Sequence, residues 1–158
     1  MRFVSRAVVA VWAVVCATLP ASAAFQVIYD VLGVLDNGGP GLTGFATTIY
    51  CSNLSQNPVN VQVRAFDETG SLAGTAKTAT ISGGDTVYFS TKNTNAFLDV
   101  ATNLNTGEVT GRARIFSEVP NPIVCAADYV DASQGFSPSL MIPRRMIRYP
   151  RGTSGGED

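Results

Sequence analysis

The chain contains no histidine among its 158 residues. That absence removes the commonest general base, the Ser-His-Asp and Cys-His arrangements, and every histidine-bearing zinc site. Lysine is nearly as scarce. Only Lys77 and Lys92 occur, and neither follows a serine by three residues. There is no glycine-rich phosphate loop. Paired carboxylates remain conceivable, but Asp128 and Asp131 are three apart on an expected strand and point to opposite faces. Asp67 and Glu68 flank a turn, where acids are ordinarily solvated. The chain is therefore read as non-enzymatic, with no cofactor and no metal centre.

Long apolar runs are also missing, apart from one near the start. Ala7 to Val15 is unbroken and apolar, preceded by Arg2 and Arg6 and followed by Pro20 and Ala21-Ser22-Ala23. This is the pattern of a secretory signal peptide over residues 1–23, cut after Ala23 or Ala24. The apolar run falls well short of the roughly 20 residues a spanning helix needs. A lipid anchor at Cys16 is disfavoured by Ala13-Val14-Val15, which places a branched residue where a small one is required. Loss of Arg2 and Arg6 leaves nine cations against twelve acids, a net charge near −3. Such a chain offers no general field for nucleic acid, and none of its later segments inserts stably in a membrane. A secreted or periplasmic location is expected.

Cysteine is sparse as well. Cleavage leaves Cys51 and Cys125, and two cysteines in an exported chain are expected to form one disulfide. Closing a loop of that length stabilises by roughly 4 kcal/mol in the chain-entropy account, as an upper figure.

What the chain has in quantity is alternation. Strands are expected over Phe25–Leu32, Thr43–Asn53, Val59–Asp67, Leu72–Ile81, Thr86–Ser90, Phe97–Leu104, Glu108–Val119 and Ile123–Val130. Glycine, proline and Asx clusters separate them: Asp36 to Gly41, Gln56-Asn57-Pro58, Asp67 to Gly70, Ser82 to Asp85 and Asn105-Thr106-Gly107. Asp36 and Asn37 read as loop residues rather than calcium ligands. Asn53-Leu54-Ser55 matches a glycosylation sequon but reads as a bare turn. Phe45, Thr47, Ile49 and Cys51 share one expected face; Ile123, Cys125, Ala127 and Tyr129 share another. The fold class is all-β, a single antiparallel β-sandwich of seven to eight strands over residues 24–140. Residues 141–158 form an Arg-rich segment, able to add an edge strand through Met141-Ile142 and Met146-Ile147, and a disordered, flexible C-terminal tail.

The strongest functional signal is a face. In Val59–Asp67, Asn60, Gln62, Arg64 and Phe66 point away from the apolar side. In Glu108–Val119, Thr110, Arg112, Arg114 and Phe116 do the same. If the two strands are neighbours, Arg64, Phe66, Arg112, Arg114 and Phe116 form one candidate binding face, since arginine and aromatic residues dominate interaction hot spots. The competing expectation is structural: the arginines pair with local acids and the rings turn into the core. The partner expected is a protein or a glycan. The alternative function is an envelope or matrix component that self-associates through strand edges.

Several segments carry a family resemblance: Tyr50-Cys51-Ser52-Asn53-Leu54, Val61 to Asp67, Asn105-Thr106-Gly107, Gly111 to Ile115 and Val124-Cys125-Ala126. With these the chain resembles small exported bacterial proteins of one β-sandwich domain and no assigned activity. More distantly it is similar to immunoglobulin-like and sensory-rhodopsin-transducer-like sandwiches. The resemblance implies a fold; it implies no substrate and no catalytic residue.

Overall fold

A computed structural model describes residues 24–97, 101–134 and 142–150. The signal-peptide reading of residues 1–23 and the reading of 152–158 as a disordered tail lie outside the described residues. The described chain is all-β. Its strands are β1 (Gln26–Asp36), β2 (Phe45–Asn53), β3 (Val59–Asp67), β4 (Leu72–Ile81), β5 (Thr86–Ser90), β6 (Ala101–Asn103), β7 (Val109–Ser117), β8 (Ile123–Asp131), β9 (Ile142–Pro143) and β10 (Met146–Arg148). They form two five-stranded sheets, ordered β10-β1-β7-β3-β4 and β6-β5-β2-β8-β9. Every pairing is antiparallel except β5 with β6.

The two sheets share one core. Val61, Val63 and Ala65 of β3, Ala113 and Ile115 of β7 and Val31 and Val34 of β1 meet Ile49 and Cys51 of β2, Phe89 of β5 and Ile123 and Ala127 of β8. Each fully buried valine or isoleucine contributes on the order of 1.5–3 kcal/mol relative to an exposed one. The period-two pattern of β3 thus sets one face on this core and leaves the other outside.

Four expectations change. First, β1 does not stop at Leu32. It continues to Asp36 through register shifts at Val27/Tyr29 and Leu32/Val34. Gly33, at φ +67°, supplies the second irregularity, and the shift returns Val34 to the core after Val31. Second, Phe45 does not join the core but is 44% exposed, whereas Ala46 on the opposite parity is buried. Ala46 owes its burial to a second cluster, in which Phe97 packs with Ala46 and Val130. Third, within the expected strand Phe97–Leu104, Phe97 lies in a bend, residues 98–100 lie outside the described residues, and the described pairing is that of Ala101–Asn103, parallel to β5. Fourth, Met146-Ile147 and Ile142 do add edge strands, but to different sheets: β9 pairs with β8 and β10 with β1. Met141 itself lies outside the described residues.

The disulfide joins Cys51 to Cys125. It lies within one sheet and not between two: the residues are direct partners on β2 and β8, with Cα atoms 4.1 Å apart. That close approach belongs to the non-hydrogen-bonded position of an antiparallel ladder, where side chains come nearest.

Candidate binding face

β7 lies between β1 and β3, so the two strands that carry the candidate residues are hydrogen-bonded neighbours. The register sets Phe66 opposite Arg112, Arg64 opposite Arg114 and Gln62 opposite Phe116. All five predicted residues therefore meet on the outer face of this sheet. Two arginines directly opposite repel one another, and the surrounding side chains determine how they are held.

Arg64 lies over the Phe116 ring, 4.6 Å from its centroid, and its Nε donates to Gln62 Oε1 at 2.7 Å. Arg112 lies 5.6 Å and Arg114 6.0 Å from the Phe66 centroid. Contacts of this kind contribute roughly 0.5–1 kcal/mol at exposed positions. Phe116 is only 7% exposed, because the guanidinium of Arg64 roofs it. It supports the face rather than offering contact area. The rings have not turned into the core, while one arginine has taken a local acid: Arg114 Nε sits 3.4 Å from Asp30 Oδ1. Both structural and exposed roles are thus present on one face.

Asp30 on β1 is buried and also accepts a hydrogen bond from the Tyr149 hydroxyl at 2.6 Å. That bond, with burial and the Asp30 charge, pushes the Tyr149 hydroxyl above its ordinary value. Beside the arginines runs a ladder of amides and hydroxyls. Gln62 Nε2 donates to Thr78 Oγ1 at 3.0 Å, Thr80 Oγ1 donates to Asn60 Oδ1 at 2.7 Å, and Asn60 Nδ2 donates to Glu118 Oε2 at 3.0 Å. At the other end, Asp67, Glu68, Thr69, Gly70 and Gly111 line a shallow cleft with Arg112. Asp67 is held below the usual carboxylate range, first by the Thr69 hydroxyl and then by backbone amides of the turn.

The other acids weighed in the sequence are committed to local structure. Asp36 accepts from the Gly38 amide at 2.9 Å and faces Lys92 Nζ at 3.6 Å, while Lys92 donates to the carbonyls of Gly39 and Thr43. Asn37 Oδ1 accepts from the Phe45 amide at 2.8 Å. Asp128 accepts from the Tyr50 hydroxyl, and Asp131 accepts from the Ser133 amide and hydroxyl. Among the described residues no group of three His, Cys, Asp or Glu is placed to hold a metal ion. Asn53 is fully buried and donates to the carbonyls of Asn57 and Ile81, which places the sequon asparagine inside the fold.

Sequence reasoning missed Asp30, the counter-charge of the face, and Tyr149, its second partner. A signal existed: Asp30 is the lone acid in the apolar run Gln26–Leu32, and a buried carboxylate demands a partner. No protein-family model matches this chain, and no curated protein or solved structure shows significant similarity to it.

Proposed function

We propose that this chain is a non-catalytic interaction module of an exported β-sandwich type, acting through the outer face of the β10-β1-β7-β3-β4 sheet. The observation that carries this reading is the set of guanidinium–ring contacts of Arg64 and Arg112 with Phe116 and Phe66. These contacts hold the guanidinium groups against the sheet, so less freedom is lost when they engage a partner. An in-sheet disulfide is compatible with a secreted or periplasmic setting. The test is capture of partners from the producing organism's envelope fraction by wild type, Arg64→Ser and Arg112→Ser. Partners should be lost from both variants. Capture that survives both changes removes the face reading.

A second reading has its own observation. β4 is a ten-residue edge strand with a single cation, Lys77, and no proline. Apart from Thr75, whose amide already donates to the Leu104 carbonyl, such an edge is poorly guarded against pairing with another copy. Light scattering across a concentration series separates the readings: a strict monomer at high concentration ends the self-association reading.

A further inference from the structure

Resting on the self-association reading above, we propose that two copies of this chain pair edge to edge through β4. The strands run antiparallel about a two-fold axis at Ala79, so that Thr78 of each copy stands opposite the partner's Thr80.

The ladder fixes which backbone groups of β4 are free. The Glu118 amide donates to the Asn60 carbonyl, so Asn60 turns its backbone groups toward β7. Val61 and Val63, on the other alternation, turn theirs toward β4, where they oppose Ala79 and Lys77. Thr78 and Thr80 therefore direct amide and carbonyl outward, at the free edge of the sheet. At Thr75 the edge is already closed, because its amide donates to the Leu104 carbonyl. Gly74, at φ +71°, lies so close to that carbonyl that a Cβ would collide with it. A partner strand thus has room along the stretch from Lys77 to Ile81. Leu72, exposed at 51%, falls outside that stretch.

The side chains select a second copy as the occupant. Arg64 Nε donates to Gln62 Oε1, which leaves the Gln62 amide nitrogen to donate to Thr78 Oγ1. Asn60 Nδ2 donates to the Glu118 carboxylate, which leaves Asn60 Oδ1 to accept from Thr80 Oγ1. The two exposed hydroxyls are thus polarised in opposite senses. Thr78 keeps a proton to donate, and Thr80 keeps a lone pair to accept. An antiparallel copy reverses their order. It brings each Thr78 proton to the partner's Thr80 oxygen, twice in one interface, as an isologous contact requires. Hydrogen bonds between opposed threonines stabilise such cross-strand pairs. A slip of the register in one direction sets Thr78 against its own copy and leaves a proton unused. A slip in the other sets Thr80 against its own copy, lone pair facing lone pair.

Lys77, the one charge on β4, opposes the partner's Ile81 in this register. The two lysines then lie the length of Lys77–Ile81 apart along the joined strands, roughly 14 Å. That exceeds the Debye length of about 8 Å at physiological salt, so the charge that guards the edge does not oppose this pairing.

Sedimentation equilibrium of the purified chain up to about 1 mM should show a reversible dimer, weak because one strand edge buries little area. Thr78→Pro removes an outward amide that no ladder bond within the chain uses, a change an edge strand tolerates. The dimer should be lost while circular dichroism and the urea midpoint show a folded monomer. Where that variant fails to fold, Thr80→Lys takes its place and should abolish the dimer in the same way. Thr80→Val, which removes the acceptor, should weaken the dimer about fivefold. Ala79→Cys should give a disulfide-linked dimer under mild oxidation, because the two-fold axis sets this residue against itself at the close, non-hydrogen-bonded position. Thr78→Cys should crosslink at least about tenfold more slowly. A dimer that Ala79→Cys fails to crosslink, or that is indifferent to Thr80→Val, overturns this register and leaves the β4 edge as the contact. A dimer that survives Thr78→Pro, or the Thr80→Lys change that replaces it, overturns the β4 interface altogether. A strict monomer at the highest concentration overturns both this interface and the self-association reading.

Discussion

The guanidinium of Arg144 stands where a side chain at position 33 would have to be. A Cβ built on Gly33 meets Arg144 Nη2, with the Tyr129 hydroxyl close behind. Arg144 lies 4.0 Å from the centroid of the Tyr129 ring, and that hydroxyl donates to the carbonyl of Gly33. The contact ties β1 of one sheet to β8 of the other through the segment that carries β9 and β10.

Gly33→Ala should therefore cost on two counts. An alanine at positive φ is strained by about 1–2 kcal/mol, and its methyl group displaces Arg144. In an Arg144→Ala background only the first cost should remain. Urea unfolding of the four members of the cycle should give a coupling of at least about 0.5 kcal/mol; strict additivity contradicts the contact.

Asp30→Asn leaves Arg114 without its counter-charge and weakens the bond from Tyr149. Breaking a largely buried pair of this kind should lower stability by about 2–3 kcal/mol. The same change at Asp85, in an exposed turn, should stay within about 0.5 kcal/mol. Chemical denaturation compares the two.

Alkaline pH should loosen the fold through two tyrosines. Burial, reinforced by the bond to Asp128, raises the Tyr50 hydroxyl, and the bond to Asp30 raises that of Tyr149, both from an ordinary value of 10.0. A raised folded-state value means that their contribution is complete below about pH 10 and is lost as pH climbs through the folded value. Urea midpoints from pH 8 to 11.5 should fall less steeply in Tyr50→Phe than in wild type. Identical slopes would exclude the Tyr50–Asp128 bond from the effect.

Replacing both Cys51 and Cys125 with alanine should remove about 2–4 kcal/mol while preserving the strand signal in circular dichroism. β2 and β8 pair along nine positions around the disulfide, so the ladder persists without it. In unreduced, denatured wild type neither cysteine should react with a thiol probe.

β3 was readable from its residues because alternation over Val59–Asp67 is local and both neighbours keep its parity. The Arg–Phe face followed from that parity once β7 was taken as a neighbour. The course of β1 was not readable. The bulge at Gly33 resets which residues face inward, and its register depends on β7, far along the chain. Phe97 was misplaced for a related reason: an aromatic residue in an alternating run reads as strand, whereas here it packs with Ala46 and Val130. The disulfide pairing followed from having two cysteines beyond the expected signal peptide, but placing both in one sheet required the β2–β8 register. The Met146–Arg148 strand owes its place to contacts across the whole chain, Arg148 with Tyr29 and Tyr149 with Asp30, which local propensity does not encode.

The position of β1 has a consequence for biogenesis. Among the described residues this earliest strand lies between β7 and β10, so both of its neighbours are made well after it, β7 only from Val109 and β10 from Met146. While the chain is still being synthesised, β1 has no partner, and its apolar residues and backbone edges remain available to other molecules. Topologies that depend on such distant pairings fold slowly and expose sticky surface meanwhile. β1 first gains a partner edge when Ser117 has been made, and its second edge closes only when Arg148 is free to reach Tyr29.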